Sequence, residues 1–153
     1  MRLYSTFVLL AVLAPAAALA QANPLSRAID PASINGSWNG ADLERRTNCA
    51  SPQNNGDRGT YAEYNVVVDK IASALFIDQT AITGLRCTYA GTYVQERAGL
   101  SWTGTLSCSD GKRATFRSQG FLITPNEISI RLAMKLEGTE VCDIEAVIGG
   151  SRL

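Results

Sequence analysis

The chain has 153 residues, 46% hydrophobic and 18% charged, and its 14 basic residues balance its 14 acidic residues. The balanced charge and the lack of a basic run argue against a nucleic-acid-binding protein. Histidine is absent, which excludes histidine-activated serine or cysteine nucleophiles and the commonest metal ligand. We therefore expect no cofactor, no metal site and no nucleic-acid partner.

The N-terminal segment is typical of a secretory signal peptide. Arg2 precedes an apolar stretch, and Ala18-Leu19-Ala20 forms a small-x-small cleavage site. We predict a signal peptide over residues 1–20, a lead-in with a short helical turn over 21–33, and one domain over 34–153. No later stretch is apolar over the length of a membrane span. The expected location is the periplasm or the medium, and the sequence does not choose between them.

A strand over residues 34–42, with Trp38 pointing inward, is predicted to open the domain. The next sixteen residues, ERRTNCASPQNNGDRG (Glu44–Gly59), have no strand or helix pattern. Long loops without secondary structure are often functional, and arginine and asparagine side chains suit contacts with anions or with a protein partner. The binding candidates of this loop are Arg45, Arg46, Asn54 and Arg58. A solvated loop that Cys49 ties down is the alternative.

Seven further strands follow, and short turns join them. They are predicted over residues 60–69, 74–80, 84–95, 100–108, 112–124, 127–137 and 141–152. Sequential strands with short turns form an antiparallel meander, and eight such strands can close on themselves. The predicted fold is an all-β, eight-stranded antiparallel up-and-down barrel.

The stretch from Cys87 to Cys108 predicts its own strand register. Folding it at the turn Glu96–Gly99 places the two cysteines directly opposite each other. The other opposed pairs on that face are Tyr89/Leu106, Gly91/Gly104 and Tyr93/Trp102. An exported chain with four cysteines is expected to form two disulfides. We predict Cys87–Cys108 from the register and, by elimination, Cys49–Cys142.

Aromatic side chains dominate the predicted interior of the barrel. The interior candidates are Trp38, Tyr64, Tyr89, Tyr93, Trp102, Phe116 and Phe121. They either line a cavity for an apolar ligand or fill the barrel, since eight strands enclose little more than their own side chains. Phe116 is expected to cover Gly104, and Gly120 to form a bulge where the inward phase of the strand switches.

Gly36-Ser37-Trp38 in the first strand, Arg152 in the last strand and the long first loop resemble the corresponding features of the calycins, the lipocalin-like barrels. The resemblance covers the architecture after the signal peptide and does not extend to a ligand. It implies a barrel in which Arg152 packs across Trp38 at a closed end.

The functional hypothesis is an exported, non-enzymatic binding protein that binds or inhibits another protein through the first loop. A carrier of a small apolar ligand inside the barrel is the first alternative. A hydrolase or isomerase that uses the carboxylates of Asp143 and Glu145, two residues apart on one strand, is the second. The identity of the protein or small ligand and the oligomeric state stay open.

Overall fold

The computed structural model describes residues 30–96 and 99–153, which form an all-β domain. Its strands are β1 (Gly36–Thr47), β2 (Gly56–Asp69), β3 (Ala74–Ala81), β4 (Arg86–Glu96), β5 (Gly99–Cys108), β6 (Arg113–Ile123), β7 (Glu127–Glu137) and β8 (Cys142–Arg152). A 3-10 helix, Pro31–Ile34, overlaps the end of the lead-in. The predicted signal peptide, residues 21–29 and the turn centre at 97–98 lie outside the described residues. Within the described ranges, no helix has the length and hydropathy of a bilayer span.

The sheet closes into a barrel. Each strand pairs antiparallel with the next strand along the chain, and β8 pairs with β1. That last ladder runs from Trp38 opposite Arg152 to Thr47 opposite Asp143. The predicted eight-stranded up-and-down barrel is therefore confirmed, and closure gives each of the eight strands a paired neighbour on both sides.

The predicted register and both disulfides are also confirmed. Cys87 lies opposite Cys108, and the aromatic and glycine pairs of that hairpin are opposed as expected. The disulfides are Cys87–Cys108 and Cys49–Cys142. Phe116 lies opposite Gly104, and the register of β6 against β7 shifts between Ser118 and Gly120.

The prediction for the first loop is wrong in its boundaries. β1 continues to Thr47 and β2 begins at Gly56, so only residues 48–55 connect them, partly as a 3-10 helix, Pro52–Asn54. The strands extend because Glu44 pairs with Arg58, and Arg45 with Asp57, in the ladder between β1 and β2. The hydrophobic alternation that marks the other strands is absent here, because charged side chains occupy positions on both faces.

Trp38 and Arg152 seal one end of the barrel, which we call the closed end. Trp38 is fully buried, and its indole Nε1 donates to the carbonyl oxygen of Ile34 at 3.0 Å. The guanidinium carbon of Arg152 lies 4.2 Å from the Trp38 ring centroid. The guanidinium also donates to three backbone carbonyl groups, those of Ser33 at 2.6 Å, Asn35 at 2.8 Å and Pro125 at 2.9 Å. The predicted contact of Arg152 with Trp38 is confirmed.

Two pairs of opposed glycines let neighbouring strands approach closely inside the barrel. Gly91 lies opposite Gly104, and a Cβ atom at Gly104 would overlap the carbonyl oxygen of Ala90. Gly40 lies opposite Gly150, and a Cβ atom at Gly40 would overlap the carbonyl oxygen of Gly149. A side chain at these positions therefore meets backbone, which cannot move aside as a flexible side chain can.

Trp38→Ala should lower the free energy of unfolding by about 3–5 kcal/mol, because it removes a fully buried aromatic side chain. The control is Tyr61→Ala, whose side chain is 68% exposed and whose loss should cost less than about 1 kcal/mol. Urea unfolding followed by circular dichroism measures both. Equal losses in the two variants would contradict the sealing role of Trp38.

Gly104→Ala should destabilise the barrel by about 1–3 kcal/mol, because the added methyl group meets the backbone of β4. Gly120→Ala is the matched control, since nothing lies within 4 Å of a Cβ atom at that position. Its unfolding free energy should change by no more than about 0.5 kcal/mol. A Gly104 variant as stable as the Gly120 variant would show that the sheet relaxes at no cost.

Candidate functional site

The end of the barrel opposite the closed end, which we call the mouth, opens into a cavity of about 160 Å³. Both disulfides lie at this end, because Cys87 is the second residue of β4, Cys108 ends β5 and Cys142 begins β8. Apolar side chains form much of the cavity wall, among them Ala81, Leu85, Leu106, Leu136 and Ile144. The polar side chains of β1, β3 and β4 that border the same space are Asp42, Glu44, Arg46, Gln79 and Tyr89.

A carboxylate is buried among the polar residues that line this cavity. Asp42 is only 5% exposed, and its Oδ2 accepts a hydrogen bond from Gln79 Nε2 at 3.0 Å. The Oε1 atom of Gln79 accepts in turn from the Tyr89 hydroxyl at 3.4 Å. Asp42 Oδ1 has no hydrogen-bond partner among the described residues. A residue of the cavity lining therefore carries a buried acceptor whose hydrogen-bonding capacity is unused.

Burial changes the protonation of this group. Loss of solvent, with a smaller contribution from the negative charge of Glu44, raises the pKa of Asp42 to about 6. The polar contacts with Gln79 and Tyr89 and the positive charge of Arg46 offset only part of that effect. Burial likewise raises the pKa of Tyr89 well above its usual value, so its hydroxyl stays protonated at neutral pH.

Glu44 and Arg46 form an ion pair on the wall of the mouth. Arg46 Nη2 and Nε lie 2.6 Å and 2.9 Å from Glu44 Oε2. Both side chains are largely buried, with 10% of Arg46 and 17% of Glu44 exposed. The two residues are in phase with Asp42 along β1, so all three point into the barrel.

The predicted binding residues of the first loop do not form one surface. Arg46 points inward, whereas Arg45 lies on the outer wall and pairs with Asp57 at 2.9 Å. Arg58 donates to the backbone oxygen of Asn54 at 3.3 Å and to its side-chain oxygen at 3.4 Å. All three guanidinium groups are thus engaged within the chain. A binding role for these residues stays a prediction.

Arg45 also borders a shallow groove of about 830 Å³ on the outer wall, together with Leu43, Asp57, Arg131 and Glu145. This groove is larger than the mouth cavity but opens broadly to solvent. Its charged side chains are exposed, so contacts there are screened by water and salt. The mouth cavity is the better candidate because its walls remove a ligand from water.

The aromatic interior candidates pack mainly against one another. Ring centroids of Trp102 and Phe116 lie 4.3 Å apart, and Tyr89 lies 5.9 Å from Phe116. Phe121 joins them at 6.4 Å from Trp102. Tyr64 and Tyr93 are also buried. Tyr89 alone of the seven lines the mouth cavity, so the aromatic residues fill the closed part of the barrel rather than surround a ligand.

The carboxylates considered for catalysis lie on the outer wall. Asp143 and Glu145 are both exposed, and Asp143 Oδ2 accepts from Asn48 Nδ2 at 2.9 Å. One group of possible metal ligands, Cys49, Glu140 and Cys142, occurs among the described residues. Its two sulfur atoms are joined in a disulfide and therefore supply no thiolate.

Sequence reasoning missed Asp42, Glu44 and Gln79 as residues of the site. A signal was present, since Asp42 is in phase with inward Trp38, and Gln79 is in phase with inward Leu75 and Ile77. A polar side chain at an inward position of a strand is uncommon, because burying it without full hydrogen bonding is costly.

No protein-family model and no curated protein sequence matches the chain. Among solved structures, a de novo designed fluorescence-activating β-barrel is similar over 80% of this chain and 96% of its own, with 12% identity and a TM-score of 0.43. The structure of EF1p2_mFAP2b bound to DFHBI is similar over 84% of this chain and 99% of its own, with 10% identity and a TM-score of 0.45.

A third similar structure is a protein of unknown function from Nostoc punctiforme, assigned to the DUF3598 family. The similarity covers 82% of this chain and 50% of that protein, with 10% identity and a TM-score of 0.45. These similarities are too distant to carry a functional argument. The barrel itself is established by the strand pairing of this chain, and its likeness to the calycins stays an interpretation.

Asp42→Asn should stabilise the folded protein at pH 7.5. The folded state binds the Asp42 proton more tightly than the unfolded chain does, with a pKa of about 6 against about 4. Stability due to this group is therefore fully present below pH 4 and is lost as the pH rises through 6. Two pKa units correspond to roughly 3 kcal/mol as an upper value.

Urea unfolding of the wild type and the variant between pH 4 and 8 measures this effect. The stability advantage of Asp42→Asn should shrink as the pH falls and vanish near pH 4. Glu63→Gln, which removes an exposed carboxylate from the outer face of β2, should show no such trend. If Asp42→Asn were less stable than the wild type by the same amount at every pH, the assignment of a costly buried charge to Asp42 would be contradicted.

Proposed function

We propose that the chain is an exported, non-enzymatic binding protein that holds one small molecule in the mouth cavity. The observation that carries the proposal is the combination of apolar walls with a buried, incompletely bonded carboxylate at Asp42. Small-molecule sites are typically concave and mostly apolar, with a few polar groups that fix the orientation of the ligand.

The size of the cavity limits the ligand. Its volume of about 160 Å³ is close to the roughly 150 Å³ of an engineered cavity that binds benzene. It lies below the range of about 300–1,000 Å³ that accommodates drug-sized molecules. The enclosed part of the ligand is therefore a single ring or a short chain, and any larger part extends past the rim.

The disulfides support export and suit a binding role. Disulfides persist in oxidising compartments, which agrees with a location in the periplasm or outside the cell. The Cys87–Cys108 bridge borders the cavity, and Cys49–Cys142 ties the first loop to β8. A mouth held in one shape loses less conformational freedom when a ligand binds.

Binding of another protein through the first loop has less support. The loop comprises only residues 48–55, so Arg45, Arg46 and Arg58 lie in β1 and β2 instead. The guanidinium group of each already bonds to another group of the chain. A protein partner would have to break these contacts or use the loop backbone.

Ala81→Phe should strongly weaken binding of a small probe, because Ala81 is buried and lines the cavity. The matched control is Thr80→Phe, which places the same ring on the outer face one residue away. With benzyl alcohol as the probe, NMR titration should give an affinity at least tenfold lower for Ala81→Phe and unchanged for Thr80→Phe.

Chemical-shift changes in the wild type test the same proposal without a variant. Benzyl alcohol should shift the amide signals of Asp42, Gln79 and Leu106 more than those of outer-face residues. Shifts confined to the outer wall, or full binding by a folded Ala81→Phe protein, would refute the mouth site.

A further inference from the structure

Among the described residues, the carboxylate of Asp42 forms an ion pair with none. Its Oδ2 atom accepts a hydrogen bond from the neutral amide of Gln79, and the neutral Tyr89 hydroxyl is a second donor that acts on the carboxylate. Oδ1 is buried and has no hydrogen-bond partner among the described residues. A buried charge that is neither paired nor fully hydrogen-bonded is costly. The group that completes this site is therefore one that supplies positive charge and hydrogen-bond donors.

The cations that border the mouth are already engaged elsewhere. Arg46 directs two N–H groups at Glu44 Oε2. Lys112 forms an ion pair with Asp110 at 2.6 Å, and Arg58 donates to Asn54. None of these hydrogen bonds or ion pairs reaches Asp42, although the positive charge of Arg46 acts on it through space.

Most of the remaining hydrogen-bonding capacity beside Asp42 is that of acceptors; the exception is the buried Tyr64 hydroxyl, which has no partner among the described residues and can donate as well as accept. Gln79 Oε1 accepts one bond from Tyr89 and has a second lone pair, as a carbonyl oxygen does. Tyr89 also lines the cavity, and its hydroxyl oxygen accepts as well as donates. An ammonium group, with three donors and no acceptor, matches this set.

We propose that the ligand of the mouth cavity carries a protonated amine on a small apolar body, and that Asp42 binds the amine. This inference rests on the proposed small-molecule site and names the chemical class of its ligand. The ammonium group binds the Asp42 carboxylate, and the apolar body contacts Leu106, Leu136 and Ile144, which line the same cavity. A carboxylate ligand would instead place two negative charges together.

The other charged or titratable groups near Asp42 do not reverse this preference. On β1 they are Glu44 and Arg46, which neutralise each other. On β2 and β4 the tyrosines Tyr64 and Tyr89 have pKa values raised mainly by burial, so both are neutral at pH 7.5. Arg58 and Lys112 lie farther along the lining, in the contacts described above.

The test compares three probes of the same shape that differ in one group: benzylamine, benzyl alcohol and benzoate. Isothermal titration of the wild type at pH 7.5 should give benzylamine at least a tenfold higher affinity than benzyl alcohol, with benzoate weakest. Asp42→Asn, which keeps the shape of the side chain, should remove the preference for the amine. Glu63→Gln removes an exposed carboxylate outside the barrel and should keep it.

A second readout uses pH. A pH of 5 is about one unit below the Asp42 pKa of about 6, so only about one tenth of the Asp42 side chains are ionised. Benzylamine affinity should then fall about tenfold between pH 7.5 and pH 5, whereas benzyl alcohol affinity should change little. The Asp42→Asn protein should show no such fall for benzylamine.

Failure of the amine inference can be told apart from failure of the binding site. If benzyl alcohol binds in the mouth as tightly as benzylamine, or benzoate binds more tightly, the site stands and the amine inference is wrong. An amine preference that persists in Asp42→Asn also refutes the role of Asp42. If none of the three probes shifts the signals of mouth residues, the proposed function fails and the amine inference fails with it.

Discussion

Closure of the sheet between β1 and β8 is the constraint on which both ends of this barrel depend. The ladder sets Trp38 opposite Arg152, and side chains alternate between the two faces of a strand. A shift of one residue in β1 would turn Trp38 and Asp42 outward and bring Leu43 and Arg45 inward. The same register thus supplies the aromatic seal of the closed end and the carboxylate of the mouth.

The two ends of the barrel are stabilised in different ways. At the closed end Ile34 and Trp38 are fully buried, and Arg152 joins the lead-in to the turn between β6 and β7. At the mouth, the two disulfides and the ion pair between Glu44 and Arg46 contribute to stability in place of a packed aromatic seal. Bridges constrain the chain without filling the interior, and this leaves room for a cavity beneath the rim.

The sequence predicts most of the fold because inward apolar residues recur at every second position in strands such as β5 and β7. In β7, for example, Ile128 to Leu136 are buried at every second position. The pattern fails at the mouth end of β1 and β2, where the inward residues Glu44 and Arg46 are charged. A run of charged residues is typical of a loop in sequence. The ion pair between Glu44 and Arg46 cannot be recognised until the strand places both side chains on one face.

The candidate site escaped prediction for the same reason, and that reason bears on function. Apolar residues at positions 42 and 79 would continue the hydrophobic pattern of β1 and β3 and avoid burying a charge. Asp42 and Gln79 instead bond to each other and leave one carboxylate oxygen unsatisfied. Stability does not explain that arrangement, since buried charge opposes folding at neutral pH. The proposed amine ligand accounts for it, because relief of that cost in the complex adds to the free energy of binding.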